Sequence, residues 1–369
     1  MLRGECAKLD PMEDWGSIAA LESAARCGRR LLHWGNIARL RAGVVRDFFR
    51  DPKYSIKSGT KEYQRHLREE VEHYSRLFAA QRLDANRAGG NLFEPVPAVW
   101  QLAQERSAAL LREKTGDDIT DHLIKRLQKR PGIRMASLGC GPGGIELMLA
   151  AEAPTAEYFC LDINEELIHL GRERALAAGL PVRFEKADLN TARLPQNEFD
   201  IVFCHASLHH VIELEWLADQ IKQSLRPDGE LIVVDILAPN GHRMRPRTRE
   251  VVSAIWRTLP TRFRVNHTAY QEKRLDRKMW DKSTSRSGMG MECIRSGEVL
   301  SVLERRFRVK LLVPYMTLSR RFFDTMYGWN YDLEQPLDRA IFEWIWALDC
   351  HYLSTGELQG ENVFAIYGA

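Results

Sequence analysis

The sequence lacks the features that would place it outside the reducing, aqueous interior of a cell. Its seven cysteines are an odd number, are scattered and form no Cys-x-x-Cys pair, which argues against a disulfide framework and against a cysteine-based zinc site. No stretch approaches the roughly 18 apolar residues of a membrane span. Pro11 and several acidic residues interrupt the first thirty residues, where a signal peptide needs a continuous apolar run. We therefore expect a cytoplasmic protein with no membrane partner.

A strong net charge is also absent, since the formal charge is only +3. The stretch from Gly241 to Arg321, however, holds 20 Lys and Arg against 7 Asp and Glu, a local charge of 20 − 7 = +13. Such a stretch suits a small anionic acceptor, a single-stranded nucleic acid or an acidic protein partner. Salt bridges to the acidic remainder of the chain account for it equally well, so its role stays open.

Two kinds of periodicity divide the chain. Apolar residues at three-to-four spacing predict helices up to about residue 130, interrupted by a segment rich in Gly, Pro and Asn at 86–97. From Arg134 onward, short apolar runs alternate with helical segments, which predicts an α/β fold with a doubly wound, Rossmann-like sheet. The predicted strands are RMASLG, EYFCLDI, VRFEKADL, FDIVFCHA and GELIVVDI, followed later by VKLLVPYM and ENVFAIYG.

The same patterns predict the domain organisation. Residues 1–130 form a helical region that serves as a lid and is able to pair two chains as a homodimer. Residues 131–369 form the α/β domain, with helical insertions at about 238–295 and 321–358. These insertions follow the fifth and sixth predicted strands, so we expect them to cap the end of the sheet where ligands bind.

The most informative segment is Ser137-Leu-Gly-Cys-Gly-Pro-Gly-Gly144, between the first predicted strand and a helix. Glycines let a ligand lie against the backbone, and the helix N-terminus presents free N–H groups. A glycine-rich turn also occurs as a plain connection, and Gly139, Gly141 and Gly144 satisfy the spacing of a nicotinamide-dinucleotide site. Asp162 and Asp188, which end the second and third strands, sharpen the interpretation, as does the His-rich segment after the fourth.

Together these motifs resemble the class I S-adenosylmethionine-dependent methyltransferases, in the broad group that includes small-molecule enzymes. The resemblance runs from Arg134 to Leu237, through SLGCGPGG, CLDIN, ADLN, FDIVFCHASLHHV and LRPDGELIVVDI. It implies a seven-stranded sheet whose last strand is antiparallel, S-adenosyl-L-methionine as cofactor and S-adenosyl-L-homocysteine as product. One position departs from the family pattern, because Ser137 stands where the family usually has an acidic residue.

The resemblance also implies roles for individual residues. The glycines would face the methionyl part of the cofactor, Asp162 the ribose, Asp188 the adenine and His205 the methyl-sulfonium. Tyr74 resembles an aromatic that some members place over the cofactor, although a Tyr on an amphipathic helix is also an ordinary core residue. The predicted cofactor-binding residues are Ser137, Gly139, Cys140, Gly141, Gly143, Asp162, Ile163, Asp188, Leu189, His205 and Tyr74.

His209 and His210 are the predicted catalytic residues. Leu208-His209-His210 stands where the family's small-molecule O-methyltransferases carry a Leu-His-Asp motif with a base histidine, and an imidazole suits a general base. The alternatives are that these histidines only hydrogen-bond to the backbone, and that transfer proceeds by proximity alone. His205 and His209 have a spacing that suits a metal, but no third ligand stands nearby in the sequence, so we predict no metal site.

The predicted function is methyl transfer to an oxygen or nitrogen of a small-molecule acceptor, a metabolite or natural-product intermediate, with anionic acceptors included. The segment after the fourth strand lacks the Asn/Asp-Pro-Pro-aromatic tetrapeptide of enzymes that methylate base amines, which disfavours nucleic acid. A methyltransferase for RNA or for substrates tethered to a carrier protein is the main alternative. A non-catalytic S-adenosylmethionine-binding module is another alternative. It is favoured by one feature, the presence of Ser137 in place of the family's acidic residue.

Overall fold

The computed structural model describes residues 56–85, 96–241, 243–267, 273–279 and 290–369. The predicted helices before residue 56 therefore lie outside the described residues. Among the described residues, three helices precede the sheet: α1 (Lys61–Ala85), α2 (Ala98–Thr115) and α3 (Ile119–Leu127). Asp118 caps α3 by accepting a hydrogen bond from the Asp121 N–H, as its sequence position before an apolar run favours.

A seven-stranded sheet follows, in the order β3-β2-β1-β4-β5-β9-β8. Strands β1 to β5 pair in parallel, and β9 is antiparallel to both of its neighbours. This confirms the predicted Rossmann-like sheet with an antiparallel last strand. The strands are β1 (Arg134–Leu138), β2 (Glu157–Asp162), β3 (Val182–Lys186), β4 (Phe199–His205), β5 (Leu225–Ile236), β8 (Arg308–Tyr315) and β9 (Asn362–Gly368), and the short strands β6 (Val265–Asn266) and β7 (Arg274–Leu275) form a separate hairpin.

Helices cover both faces of the sheet and bury two apolar cores. The crossover helices are α4 (Gly144–Glu152), α5 (Glu165–Ala178) and α6 (Leu214–Ser224). Asn164 caps α5 by accepting hydrogen bonds from the N–H groups of Glu166 and Leu167. Because α4 and α5 begin directly after β1 and β2, their N-termini lie at the carboxyl edge of the sheet.

A third apolar core joins the N-terminal helices to the two insertions. Its helices are α2, α7 (Pro246–Thr258), α9 (Leu318–Phe323) and α10 (Pro336–Thr355), whereas α8 (Val299–Glu304) packs on the sheet. Val99, Trp256, Phe322 and Phe342 are fully or almost fully buried in it. The described helices include none that is both long and apolar enough to cross a bilayer.

Candidate active site

A cavity of about 490 Å³ lies at the carboxyl ends of β1 to β4. It brings together most of the residues predicted to bind a cofactor, although these are spread over more than a hundred positions of the chain. The predicted residues that line it are Tyr74, Gly139, Cys140, Gly141, Asp162, Ile163, Asp188, Leu189, His205 and His210. We call it the cofactor cavity.

The glycine turn is required sterically at Gly139. Its φ is 75°, and a Cβ there would lie 2.5 Å from the Cβ of Ser207. Gly143 also has a positive φ, of 72°, but it packs against the ring of Phe184 and does not line the cavity. The neighbouring Gly144 lines the cavity instead.

Ser137 is buried away from the cofactor cavity and donates a hydrogen bond from Oγ to Glu146 Oε1 at 2.5 Å. Glu146 lies in the first turn of α4, is itself buried and lines the cavity. Burial raises the pKa of Glu146, and the hydrogen bond from Ser137 opposes that shift. A carboxylate is therefore present near this end of the cavity, but it comes from the helix and not from β1.

Asp162 and Asp188 are held by the backbone and by the N-terminal helix. Asp162 accepts hydrogen bonds from the N–H groups of Gly141 and Asn164, both at 2.8 Å. Burial raises the pKa of Asp162. Asp188 accepts a hydrogen bond from the Tyr63 hydroxyl at 2.5 Å and from the Asn190 N–H at 2.9 Å. These contacts fix both carboxylates at the cavity wall.

A second cavity, of about 460 Å³, adjoins the first. The two share Tyr74, His205, Ala206 and His210. Helix α2 contributes Trp100 and four further residues to the second cavity, and the C-terminal part of the chain contributes Tyr315, Met316, Arg320 and Asn362. We call it the acceptor cavity. His209 faces this cavity and not the cofactor cavity.

His209 and His210 lie where the two cavities meet, and each is held by a buried carboxylate. His209 Nδ1 lies 2.5 Å from Asp235 Oδ1, and His210 Nδ1 lies 2.5 Å from Glu70 Oε1. Asp235 also accepts a hydrogen bond from the Leu208 N–H at 2.8 Å, which orients the 3₁₀ turn that carries both histidines. Neither histidine is therefore confined to backbone hydrogen bonds.

A third carboxylate, Glu292, faces the other nitrogen of both histidines. Its Oε1 lies 3.6 Å from His209 Nε2, and its Oε2 lies 3.3 Å from His210 Nε2. The Tyr74 hydroxyl lies 3.3 Å from His210 Nε2. We call Glu70, His209, His210, Asp235 and Glu292 the histidine cluster.

The electrostatics of the cluster follow from its surplus of carboxylates. Burial by itself would lower the pKa of His209, but the charges of Asp235 and Glu292 raise it to about 10. Burial raises the pKa of Asp235, but the His209 charge and hydrogen bond outweigh it and leave that pKa lowered. Burial, Glu292 and Glu70 raise the pKa of the Tyr74 phenol. The cluster thus favours a positive charge in its interior.

Sequence reasoning missed Glu70, Glu146, Asp235 and Glu292. Asp235 had a signal, because it lies near the carboxyl end of a parallel strand, as Asp162 does. Glu70 and Glu292 had none, since they are 140 and 82 positions from His210 in a helix and a loop that carry no motif. Glu70 joins these elements, because it also accepts a hydrogen bond from the Met291 N–H at 2.7 Å.

Most of the described arginines of the basic stretch have structural partners. Arg295 binds Glu215 and Glu298, and Arg321 binds Glu361. Further pairs are Arg247–Glu250, Arg262–Asp338 and Arg306–Asp219. Among the described residues that line the acceptor cavity, Arg320 is the one Lys or Arg. Its buried Nε has no hydrogen-bond partner in the described part of the chain.

Comparisons with known proteins find similarity to methyltransferases. Residues 136–229 match a methyltransferase domain family. The chain is 27% identical over 120 residues to phosphoethanolamine N-methyltransferase 1 of Arabidopsis thaliana, covering 32% of this chain and 24% of that enzyme. It is 33% identical over 132 residues to 27-O-demethylrifamycin SV methyltransferase of Amycolatopsis mediterranei (strain S699), covering 35% of this chain and 48% of that enzyme. The chain thus spans a quarter to a half of these relatives.

A solved S-adenosylmethionine-dependent methyltransferase from Mesorhizobium loti is similar with a TM-score of 0.37 and 18% identity, over 67% of this chain and 96% of that one.

Proposed function

We propose that this chain, which carries a class I S-adenosylmethionine-dependent methyltransferase domain, transfers a methyl group from S-adenosylmethionine to an oxygen or nitrogen of a small-molecule acceptor. One observation carries the proposal. The cofactor cavity and the acceptor cavity meet at four residues that line both, Tyr74, His205, Ala206 and His210. A sulfonium at that junction would face an acceptor atom in the neighbouring cavity, as direct transfer needs.

The names of the relatives support a small acceptor. One is a phosphoethanolamine N-methyltransferase and the other a 27-O-demethylrifamycin SV methyltransferase. The volume of the acceptor cavity, about 460 Å³, is also that of a small-molecule site.

The cofactor is held by three carboxylates. Asp162 receives the ribose hydroxyls and Asp188, fixed by Tyr63, lies on the adenine side. Glu146 takes the place of the acidic residue that β1 lacks and receives the methionine ammonium, with Ser137 holding it in position.

The acceptor carries a negative charge, which Arg320 binds. Its guanidinium lines the acceptor cavity with Tyr315 and Asn362, and a planar guanidinium suits a carboxylate or a phosphate. Asp324, the half-buried residue that follows α9, also feels the Arg320 charge. Arg320 thus adds a positive charge to a cavity that carboxylates of the histidine cluster also line.

The histidine cluster removes the acceptor's proton. His209 and His210 are the catalytic residues, and Asp235 and Glu70 orient their rings. With nothing bound, His209 carries a proton at neutral pH, because its pKa is raised to about 10. A cation that enters the site, such as the sulfonium, stabilises the negative cluster in place of that proton and makes the imidazole able to accept another.

Calorimetric titration with S-adenosylmethionine and S-adenosylhomocysteine is the first test. We expect micromolar binding that is lost in Asp162→Ala and kept in Asp228→Ala, an exposed aspartate of β5. Absence of binding by the wild-type chain would contradict the proposal.

The acceptor is tested by incubating the chain and S-adenosylmethionine with panels of anionic and neutral small molecules and detecting methylated products by mass spectrometry. We expect turnover of anionic acceptors, with KM raised at least tenfold in Arg320→Gln and unchanged in Arg247→Gln, a surface arginine. Turnover of RNA or carrier-tethered substrates alone would overturn the acceptor class. Cofactor binding without turnover of any acceptor would make the chain a binding module.

A further inference from the structure

Hydrogen bonds between the histidines and the carboxylates do not by themselves explain the geometry of the histidine cluster well. His209 and His210 each direct Nδ1 to a carboxylate at 2.5 Å. Each therefore presents Nε2 to Glu292, at 3.6 and 3.3 Å. A neutral imidazole that donates from Nδ1 has a lone pair at Nε2. A lone pair facing a carboxylate is repelled unless a cation, or a donor such as the Tyr74 hydroxyl 3.3 Å from His210 Nε2, lies between them.

A proton on His209 Nε2 serves as that cation when nothing is bound, but the spacing is longer than a hydrogen bond between two charged groups prefers. Charge-assisted hydrogen bonds between nitrogen and a carboxylate oxygen are about 2.7 to 2.9 Å long, shorter than both Nε2 distances to Glu292. Two ligands bound to one tetrahedral ion at about 2.0 to 2.1 Å lie roughly 3.3 Å apart. One ligand atom from each of His209, His210 and Glu292 lies within 4.8 Å of the other two. The separations are therefore close to those around a single ion.

The surrounding contacts are those of metal-binding histidines. Such histidines commonly donate their second ring N–H to a carboxylate, which fixes the tautomer and makes the free nitrogen more basic. Asp235 does this for His209, and the Glu70 carboxylate lies 2.5 Å from the corresponding ring nitrogen of His210. The cluster has three carboxylates and two imidazoles, so its formal charge with neutral imidazoles is 2 × 0 − 3 = −3. It lies largely buried, where such a charge needs compensation.

We propose that His209 Nε2, His210 Nε2 and Glu292 bind one divalent transition-metal ion, at the junction of the two cavities. Two imidazoles and one carboxylate suit Zn²⁺ or another borderline ion of the first transition row better than Mg²⁺ or Ca²⁺. Three protein ligands leave a coordination position open, and His209 and His210 both line the acceptor cavity, toward which that position would open.

The site deepens the proposed function and rests on it only for its role. An acceptor hydroxyl in the open position would have its pKa lowered by the ion, so the cluster would still remove the acceptor's proton, with the imidazoles acting as ligands. Metal binding itself requires neither cofactor nor acceptor, so it can be measured separately. The sequence prediction of no metal site considered His205 and His209, whereas the third ligand, Glu292, is distant in sequence.

The test uses the full chain without a polyhistidine tag, stripped of metal by a chelator and titrated with Zn²⁺ by calorimetry. We expect one equivalent to bind with a micromolar or lower Kd, and Co²⁺ to give the visible absorption of a site with nitrogen and oxygen ligands. Glu292→Gln and His210→Gln should each weaken Zn²⁺ binding at least 100-fold. Glu70→Gln, which removes only the partner of a ligand, should weaken it 10- to 100-fold.

His169→Gln is the matched control, because His169 and Glu173 form an exposed pair on α5, and it should leave Zn²⁺ binding unchanged. Thermal unfolding of each variant verifies that it is folded. Less than 0.2 equivalents bound by the wild-type chain, or equal affinity in Glu292→Gln, would overturn the site. A chain that binds Zn²⁺ but not S-adenosylmethionine would support the metal site and overturn the proposed function. A chain that binds S-adenosylmethionine but not Zn²⁺ would overturn the metal site and leave the proposed function standing.

Discussion

Ser137 and Glu146 form a buried hydrogen bond, 2.5 Å long, between the end of β1 and the first turn of α4. The pair moves a carboxylate from the strand, where related sequences usually carry it, to the helix that follows the glycine turn. The serine therefore has a structural role as the partner that holds this carboxylate.

Glu146→Gln should weaken S-adenosylmethionine binding about tenfold or more, or ~1.4 kcal/mol, because an ammonium would lose a charge-assisted partner. Calorimetric titration measures this, with Glu152→Gln as the control, since Glu152 is exposed at the end of the same helix. Unchanged affinity in Glu146→Gln would show that the carboxylate does not contact the cofactor.

Gly139→Ala should destabilise the chain and impair cofactor binding together. The new Cβ would lie 2.5 Å from the Cβ of Ser207 at a φ of 75°, so the strain of a positive φ, about 1 kcal/mol, adds to a clash. Gly179→Ala has the same kind of φ, of 63°, with no atom within 4 Å of its Cβ. Urea unfolding should therefore show a greater loss in Gly139→Ala, and equal losses would contradict the steric argument.

Asp235→Asn should lower kcat by roughly 10² to 10⁴, the range for acid–base groups, because His209 loses the carboxylate that orients its ring. S-Adenosylmethionine affinity should change little, since Asp235 does not line the cofactor cavity. The exposed Asp228→Asn on the same strand is the control for steady-state kinetics. A normal kcat in Asp235→Asn would show that the histidine cluster takes no part in catalysis.

Asp338→Asn should destabilise the second insertion by roughly 1 to 2 kcal/mol at pH 7, because the buried carboxylate loses its charge-assisted hydrogen bonds with the half-exposed Arg262. Burial raises the pKa of Asp338, but its hydrogen bonds with Arg262 outweigh burial and leave that pKa lowered. A lowered folded pKa gives stability that is present above the unfolded value of about 3.9 and is lost as the pH falls below it. The difference from wild type in urea unfolding should therefore shrink below about pH 3.9.

The control for this pair is Glu250→Gln, which breaks an exposed pair with Arg247. Exposed pairs contribute about 0 to 1 kcal/mol. The unfolding curve of Glu250→Gln should therefore overlay that of wild type both at pH 7 and below about pH 3.9. A constant difference between Asp338→Asn and wild type across the acid range would contradict the charge explanation.

The sequence by itself determined the sheet, its crossover helices and ten of the residues that line the cofactor cavity. These depend on local signals: apolar runs of strand length, the glycine turn, and acidic residues at strand ends that parallel pairing brings to one edge. Asp162, Asp188 and His205 were found in this way, and all three line the cofactor cavity.

Only the tertiary structure decided which residues complete the histidine cluster and which arginine faces the acceptor. Glu70 and Glu292 reach His210 because α1 and the loop before α8 both pack over the end of the sheet. Arg320 differs from its basic neighbours only in facing a cavity, whereas Arg321 beside it is buried against Glu361. Such roles arise from contacts between distant segments, for which residue type and spacing carry no local signal.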